Sequence, residues 1–573
     1  MSVAPDPRAR WGMWAVWCVG ALAIVWGAYS LTRPFGFDQG VFAWVGDVLL
    51  SGGVPYRDAW DTKGPAAFVL AAAAQGLFGR NEWAIRLLDL AWLAAGVAGV
   101  RAIARRLGGG RAAGLTAAAL FFLWYASLDY RSTAQPDGWA TVLLVWAVLA
   151  LVGSADGQGG RWWRGAVAGA LIGVCALVKP TYGMFLALPL IASLYDAMSA
   201  AGGRASGGWR VALAWGVGVA VGFLAPIAGC LAWFAARGAL HDFTEVYVVW
   251  TATVYAGFEI GWLWRFQLLV TGFLATPLAL ALPLALVGAA KLWGSDRRAA
   301  AVVLAWGVLS VVNLVVQGRF WPYHWIPLYP ALAVLTALGV GAAYAASVRA
   351  AAPVLPSAGA SSDAAGPPSP EDGAILRHLL AASLVAIAVG ASVRPLLDVY
   401  HWGKLLAGAE SAAAYEAREY VISEGYPRDS VVAIGRYVRA RTAPGDAVLF
   451  WGLDPGVNFL IERRPPGRFA LELPLVRGEG SALRAAYRRE FMALMTGHAA
   501  PAYVVTLAAS ACPQPDTAVG AACPGLYPDF AALLARDYPV ERVIGGFEVR
   551  RRRGEGRKGR KGGIERAASG RAE

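Results

Sequence analysis

Residues 35–89 read FGFDQGVFAWVGDVLLSGGVPYRDAWDTKGPAAFVLAAAAQGLFGRNEWAIRLLD, and the fold turns on how this stretch sits between its neighbours. An apolar run over 12–32 precedes it and another over 83–104 follows it. A helix crossing a hydrocarbon core of about 30 Å needs roughly 20 apolar residues, and both runs supply that. Inside the stretch, DQGVFAWVGDVLLSGG and GPAAFVLAAAAQGLFG are apolar but short for a crossing. They are expected to lie along the interface as juxtamembrane helices, with the charged turn PYRDAWDTK between them. Residues 33–82 therefore form a long first loop between two spans.

Outward from this loop the same pattern repeats. Further apolar runs fall at 112–128, 138–153, 164–178, 181–198, 210–235, 266–289, 299–316, 325–346 and 376–397, making about eleven spans in all. The pair 164–178 and 181–198 is parted only by VKPTYG, which predicts a re-entrant-looking hairpin or two helices joined at one face. Composition agrees: 57% of residues are hydrophobic and only 16% charged, below the quarter or so typical of soluble domains. Twenty-five tryptophans suit interfacial belts. The net charge of +13 does not point to nucleic acid, because the basic residues lie mostly in short loops and in the tail after Arg550. The first run lacks a convincing cleavage site after it and reads as a retained helix.

Orientation follows from Lys/Arg bias. Arg8, Arg10 and the loops RRLGGGR, GQGGRWWR, GGRASGGWR and KLWGSDRR collect on one side, read as cytoplasmic, with the N-terminus. A Ser/Pro-rich loop at 350–374 is expected to be disordered there. An odd number of spans then puts everything after residue 398 outside, in a bacterial plasma membrane. The organisation predicted is a polytopic α-helical membrane part over 1–398, a small extracytoplasmic α/β domain over 399–550 and a basic disordered tail over 551–573. In the domain VVAIGRYVRART, SALRAAYRREFMALM and DFAALLARDY read as helices. VLFWG, YVVTL and a final VERVIGGFEV read as strands, and WGLDP as a strand entering a turn. Cys18, Cys175 and Cys230 fall in apolar spans and suit packing, whereas Cys512 and Cys523 flank a polar loop and suit a disulfide in an oxidising compartment.

Soluble-enzyme signatures are absent: no P-loop, no G-x-S-x-G, no H-E-x-x-H, no D-x-D and no dinucleotide fingerprint. What stands out instead is charge on the non-cytoplasmic loops. Asp38, Asp58, Asp61 and Lys63 lie in the first loop, and Arg86 follows it. Asp129, Arg131 and Asp137 occupy DYRSTAQPDG, Lys179 lies in VKPTYG, and Arg319 and His324 lie in QGRFWPYHW. Any one of them has a plainer explanation, since helices end where charges leave the hydrocarbon. Convergence of acids and bases from five loops on one face is harder to dismiss. A polyprenyl-phosphate sugar keeps its lipid in the bilayer and its phosphodiester at the interface. Basic residues there would hold the phosphate, and a carboxylate would deprotonate an acceptor hydroxyl. The aromatic loop 243–262 could cover such a substrate, although an ordinary interfacial helix explains it better.

The quoted stretch resembles the first outer loop of GT-C glycosyltransferases, above all bacterial members related to protein O-mannosyltransferases and to the aminoarabinose transferase of lipid A (glycosyltransferase family 39-like). In that family an Asp opens the loop, G-x-P-Y-x-D-x-W-x-x-K-P-P follows, then a helix ending L-F-G and an Arg. Asp38, Lys63, the LFG at 77–79 and Arg86 match in order. Asp137 matches a second acidic position and Lys179 a Lys at the outer end of the fifth helix. Two positions depart: Gln39 stands where many members have Glu, and K-P-P is KGP here.

The resemblance implies an inverting sugar transfer from a polyprenyl-phosphate donor to an envelope glycan, lipid or protein, with Asp38 as base. Asp137 would orient the acceptor or that base. Lys63, Arg131 and Lys179, with Arg86, Arg319 and His324, would serve the donor phosphate, and Asp58 and Asp61 the acceptor or the loop. No residues are assigned to a metal, and a divalent cation is the only candidate cofactor. A lipid-linked-sugar flippase or transporter is the rival reading. It should show broken helices in two repeated halves and midplane charges, which the sequence lacks. A non-catalytic anchor for the C-terminal domain would leave the first loop unexplained.

Overall fold

The computed structural model describes residues 7–152, 162–201, 208–255, 261–350, 370–419, 428–452, 456–508 and 523–554. The helical part begins with α1 (Pro7–Leu31), α2 (Phe37–Leu50), α3 (Pro65–Phe78), α4 (Glu82–Ala104) and α5 (Gly110–Ala126). Next come α6 (Pro136–Val152), α7 (Trp162–Val178), a 3-10 turn (Pro180–Leu186), α8 (Ala187–Ala201) and α9 (Gly208–Ala236). The short α10 (Leu240–Phe243) runs on as a wider π-helical stretch, Thr244–Tyr255. It is followed by α11 (Trp262–Leu274), α12 (Leu278–Ser295) and α13 (Arg297–Gln317). A second 3-10 turn (Pro322–Leu328), α14 (Tyr329–Ala350) and α15 (Pro370–Leu406) complete this part.

Eight helical segments among the described residues are long and apolar enough to cross a membrane. One of them, Glu82–Ala126, holds two expected spans joined at a kink, where Gly108 and Gly110 adopt φ of 82° and 65°. The shorter apolar helices α6 and α7, 17 residues each, lie at the expected spans 138–153 and 164–178. The expected span 266–289 is corrected: α11 ends at Leu274, and α12, starting at Leu278, is the helix of spanning length. The chain is a multi-pass membrane protein.

The two short apolar pieces of the first loop form α2 and α3, as their length suggested. They lie in close contact: a Cβ on Gly46 would sit 2.9 Å from the Ala72 nitrogen. Gln75 donates across the pair to the Ala43 carbonyl at 2.8 Å. Among the spanning helices, glycines let backbones approach, as is usual where dispersion replaces the hydrophobic effect. Gly165, Gly169 and Gly173 of α7 face α9, and a Cβ on Gly169 would fall 2.2 Å from the Val219 carbonyl oxygen. Gly288 of α12 and Gly339 of α14 do the same for that pair. The predicted hairpin around VKPTYG resolves as two helices joined at one face, because α8 packs on α9 and α13 and not back along α7.

The C-terminal region comprises α16 (Ala412–Glu419), α17 (Arg428–Arg439), β1 (Val448–Trp451), α18 (Gly456–Ile461) and α19 (Leu473–Val476). After these come α20 (Ala482–Thr496), β2 (Tyr503–Leu507), α21 (Pro528–Asp537), β3 (Val540–Ile544) and β4 (Phe547–Arg551). The sheet order is β1-β2-β4-β3, with β1 and β2 parallel and the other neighbours antiparallel. VERVIGGFEV, expected as one strand, is a hairpin. Gly545 and Gly546 both have positive φ (54° and 84°), the backbone a two-residue turn requires. One sheet face packs on α17 and α18. The other, with Leu449, Trp451 and Val504, joins Phe491 and Phe530 to first-loop residues such as Phe42 and Trp60 in one core.

Several expectations fall outside the described residues: the loop centred on 351–369, residues 453–455 of WGLDP, and the tail from 555. Cys523 is disulfide-bonded, and its expected partner Cys512 lies outside them too. Cys18, Cys175 and Cys230 are free; Cys175 is buried, while Cys18 is exposed on the surface of α1 and fills no core.

Candidate active site

Two carboxylate–ammonium pairs meet where the first loop faces the ends of α6, α7 and α13. Asp38 lies in the first turn of α2, and Lys63 just before α3; Lys63 Nζ donates to Asp38 Oδ1 at 2.9 Å. Asp137 opens α6 and Lys179 closes α7; Lys179 Nζ donates to Asp137 Oδ2 at 2.9 Å. Tyr323, on the turn before α14, is within electrostatic reach of both carboxylates. Its neighbour His324 is within reach of both lysines and of Arg319. The His324 ring stands edge-on to Tyr323 at 4.6 Å, and its buried Nδ1 has no hydrogen-bond partner among the described residues.

The pairs differ in what remains available. Asp137 is fully buried and saturated. Its Oδ1 accepts from Tyr182 OH (3.1 Å) and Gln317 Nε2 (3.2 Å), and its Oδ2 from Lys179. It orients Lys179, which also donates to Gln317 Oε1. Asp38 keeps a side-chain exposure of 12% and Lys63 one of 26%, enough to meet a substrate. Burial works against charge on Lys63, but Asp38 and Asp61 overcome it and raise its pKa, so it stays an ammonium. Asp61 is buried, accepts the Lys63 backbone N–H at 2.7 Å and has its own pKa raised by burial. It shapes the Lys63 turn from beneath and does not line the opening.

Both departures in the first loop have physical reasons. Gly64 abuts the end of α7, where an added Cβ would fall 2.1 Å from the Leu177 carbonyl oxygen and 2.4 Å from that of Val178. A side chain there would push Lys63 away from Lys179. Gln39 Nε2 donates to the carbonyls of Tyr130, Arg131 and Thr133 at 3.3, 3.0 and 2.6 Å, and its Oε1 accepts from Gly36 N–H at 2.6 Å. A carboxylate cannot donate those bonds, so the amide ties the start of α2 to the 130–133 loop.

Other expected residues have different places. Arg86 is buried and donates to the carbonyls of Tyr130 and Pro34 (both 2.7 Å) and to Thr133 Oγ1 (2.8 Å). These bonds replace the phosphate role expected for it. Asp89 and Glu82 add electrostatic support to Arg86, while Asp89 itself accepts from Tyr125 OH and Trp139 Nε1. Asp58 bonds Arg57 and the Val54 N–H, and the Arg57 contact lowers its pKa; it belongs to the turn. Arg131 stacks on Tyr130 and lies 3.6 Å from Asp129, on the rim beside Gly36. Arg319 stacks on the Tyr255 ring at 5.2 Å, at the lip. Sequence reasoning missed Gln317, Tyr182 and Tyr323; each adjoins a motif it did use, but no local signal showed which way these side chains turn.

The site's residues do not fit a divalent cation. Each carboxylate already faces a lysine, and among the described residues no three His, Cys, Asp or Glu side chains come together as ligands.

The architecture is the GT-C glycosyltransferase fold. Residues 62–233 match the family described as dolichyl-phosphate-mannose-protein mannosyltransferase. Among solved structures the chain is similar to ArnT from Cupriavidus metallidurans bound to undecaprenyl phosphate. The TM-score is 0.59 at 18% identity, covering 94% of this chain and 97% of that one. The apo state of the same protein gives 0.59 at 16% identity with the same coverage. No curated protein sequence matches.

Proposed function

We propose that this chain is an integral membrane glycosyltransferase that moves a sugar from a polyprenyl-phosphate donor to a cell-envelope glycan, lipid or protein. The observation that carries it is the partly open Asp38–Lys63 pair set beside the saturated Lys179–Asp137 pair, within one tyrosine–histidine turn. Lys63 and Lys179 supply two fixed positive charges for a phosphate at the bilayer interface. Undecaprenyl phosphate, bound by the similar ArnT, is the form of carrier we assign. When the phosphate engages Lys63, Asp38 is released to take the proton of the acceptor hydroxyl. That oxygen bonds to the anomeric carbon, the bond from carbon to phosphate oxygen breaks, and the polyprenyl phosphate leaves with the electron pair. One displacement inverts the centre. The Lys/Arg bias supports placing the site on the extracytoplasmic face of a bacterial inner membrane.

The test is transfer of labelled sugar from a panel of synthetic polyprenyl-phosphate donors, with wild type and Asp38→Asn. Transfer or slow donor hydrolysis by wild type, lost in the folded variant, is expected. Full activity in Asp38→Asn sinks the assignment of the base.

A further inference from the structure

Outside the site, three acids surround Arg468, in the segment between α18 and α19. Its side chain is only 10% exposed. Nε and Nη2 fork onto the Glu490 carboxylate of α20 at 3.0 and 2.8 Å. Asp242 and Glu245, from α10 and the π-helical stretch, lie 3.6 Å away. The guanidinium also lies against Phe469 and Tyr487 at 5.2 and 5.1 Å. These contacts alone would make a domain anchor.

Two further bonds give it a different task. Arg468 Nη1 donates to the Tyr56 carbonyl at 3.2 Å, and the Arg468 carbonyl accepts the Trp60 N–H at 2.9 Å. One residue thus grips both ends of the turn that leads to Lys63. That turn needs holding. Tyr56 has φ of 70°, costly for a residue with a side chain. Its OH in turn donates to the Lys63 carbonyl at 2.8 Å, so the grip passes from Arg468 through Tyr56 to the backbone of Lys63.

We propose that Arg468 is a positioning residue, through which the C-terminal sheet region sets the place of Lys63 in the membrane part. The role is structural coupling and rests on the transferase reading only for what Lys63 then binds. It assigns the sheet region a part in the reaction through the backbone of the first loop.

The test uses the full chain in detergent, with Arg468→Ala and Glu490→Ala, read by hydrogen exchange and by undecaprenyl phosphate binding. In Arg468→Ala the amides of 54–63 lose protection while β1 and β2 keep theirs. Affinity for undecaprenyl phosphate falls about tenfold, as expected for one displaced charge-assisted contact. Glu490→Ala, which removes an ion partner but no bond to the turn, does neither. Unchanged protection of 54–63 in Arg468→Ala, or equal effects in both variants, overturns the proposal. Should Arg468→Ala unfold the sheet, Arg468→Lys replaces it under the same outcomes, since an ammonium cannot fork onto Glu490 and reach Tyr56 together. If wild type binds no undecaprenyl phosphate, the transferase reading falls, and exchange alone decides the role of Arg468.

Discussion

Gln39→Glu changes one heavy atom from nitrogen to oxygen and removes every bond that atom donates. In the wild type Nε2 faces three carbonyl oxygens between 2.6 and 3.3 Å. Its two hydrogens can serve two of them well at a time. The Tyr130 and Arg131 carbonyls have other donors in Arg86 and Gln135, whereas the Thr133 carbonyl takes its shortest bond from Gln39. Two buried bonds at about 1–3 kcal/mol each put the loss near 2–6 kcal/mol, before repulsion between a carboxylate and three carbonyls is added. Because Asp38 is the adjacent residue, a shift of about 1 Å in the start of α2 is expected to lower turnover by roughly 100-fold.

The carbonyl cage disfavours a charged carboxylate at position 39, so the introduced group would have a folded pKa above its unfolded value. The variant therefore approaches wild-type stability below the unfolded pKa, where the new side chain is protonated in both states. It loses that stability progressively as pH rises toward the folded pKa. Thermal unfolding and donor turnover of both proteins, from pH 5 to 8, measure this. A Gln39→Glu protein that matches wild type at pH 8 would refute the amide's role as donor. A deficit independent of pH would refute the charge argument but leave the hydrogen bonds.

Other consequences are sharper in geometry than in size. Gly64→Ala has an acceptable backbone (φ −69°, ψ 149°) yet drives a methyl group into the Leu177 carbonyl. A loss of about 1–3 kcal/mol is expected, with weaker undecaprenyl phosphate binding by calorimetry; wild-type binding would mean the loop moves freely. Glu472, in the C-terminal region, is 2% exposed, neither carboxylate oxygen has a hydrogen-bond partner among the described residues, and burial pushes its pKa up to about 8. A raised folded pKa means its protonated form stabilises the fold at low pH, and that contribution is lost as pH climbs toward 8. Glu472→Gln should therefore match wild type near pH 5 and unfold at a higher temperature near pH 8.5. Equal pH slopes in the two proteins would remove Glu472 from the account.

Much of this architecture is local, and local features are legible in a sequence. A run of about 20 apolar residues has few options in a bilayer, so the spans could be placed before any contact was known. The lengths of α2 and α3, and the punctuation by Gly and Pro between them, set the first loop in the same way. Asp38 and Lys63, 25 residues apart, were marked by their pattern within that loop. Short continuous apolar runs marked β1 and β2, while the turn inside VERVIGGFEV was written in Gly545–Gly546 and passed over as part of one strand.

Partnership is what the chain could not declare. Lys179 and Asp137 are 42 residues apart and Gln317 lies 180 from Asp137, and nothing local distinguishes a charge that lines a site from one that ends a helix. Arg86 and Lys63 looked alike as basic residues near the interface. Burial among the Tyr130, Thr133 and Pro34 oxygens makes the first a clasp, whereas partial exposure beside Asp38 leaves the second open, as the proposed phosphate contact needs. Hydrophobic length acts residue by residue, so the crossings, apart from the one now placed in α12, and the loop crowded with charge were legible along the chain. A side chain's role depends on donors and acceptors brought close by helices remote along the chain, so which charges face each other and which are spent on backbone emerged with the fold.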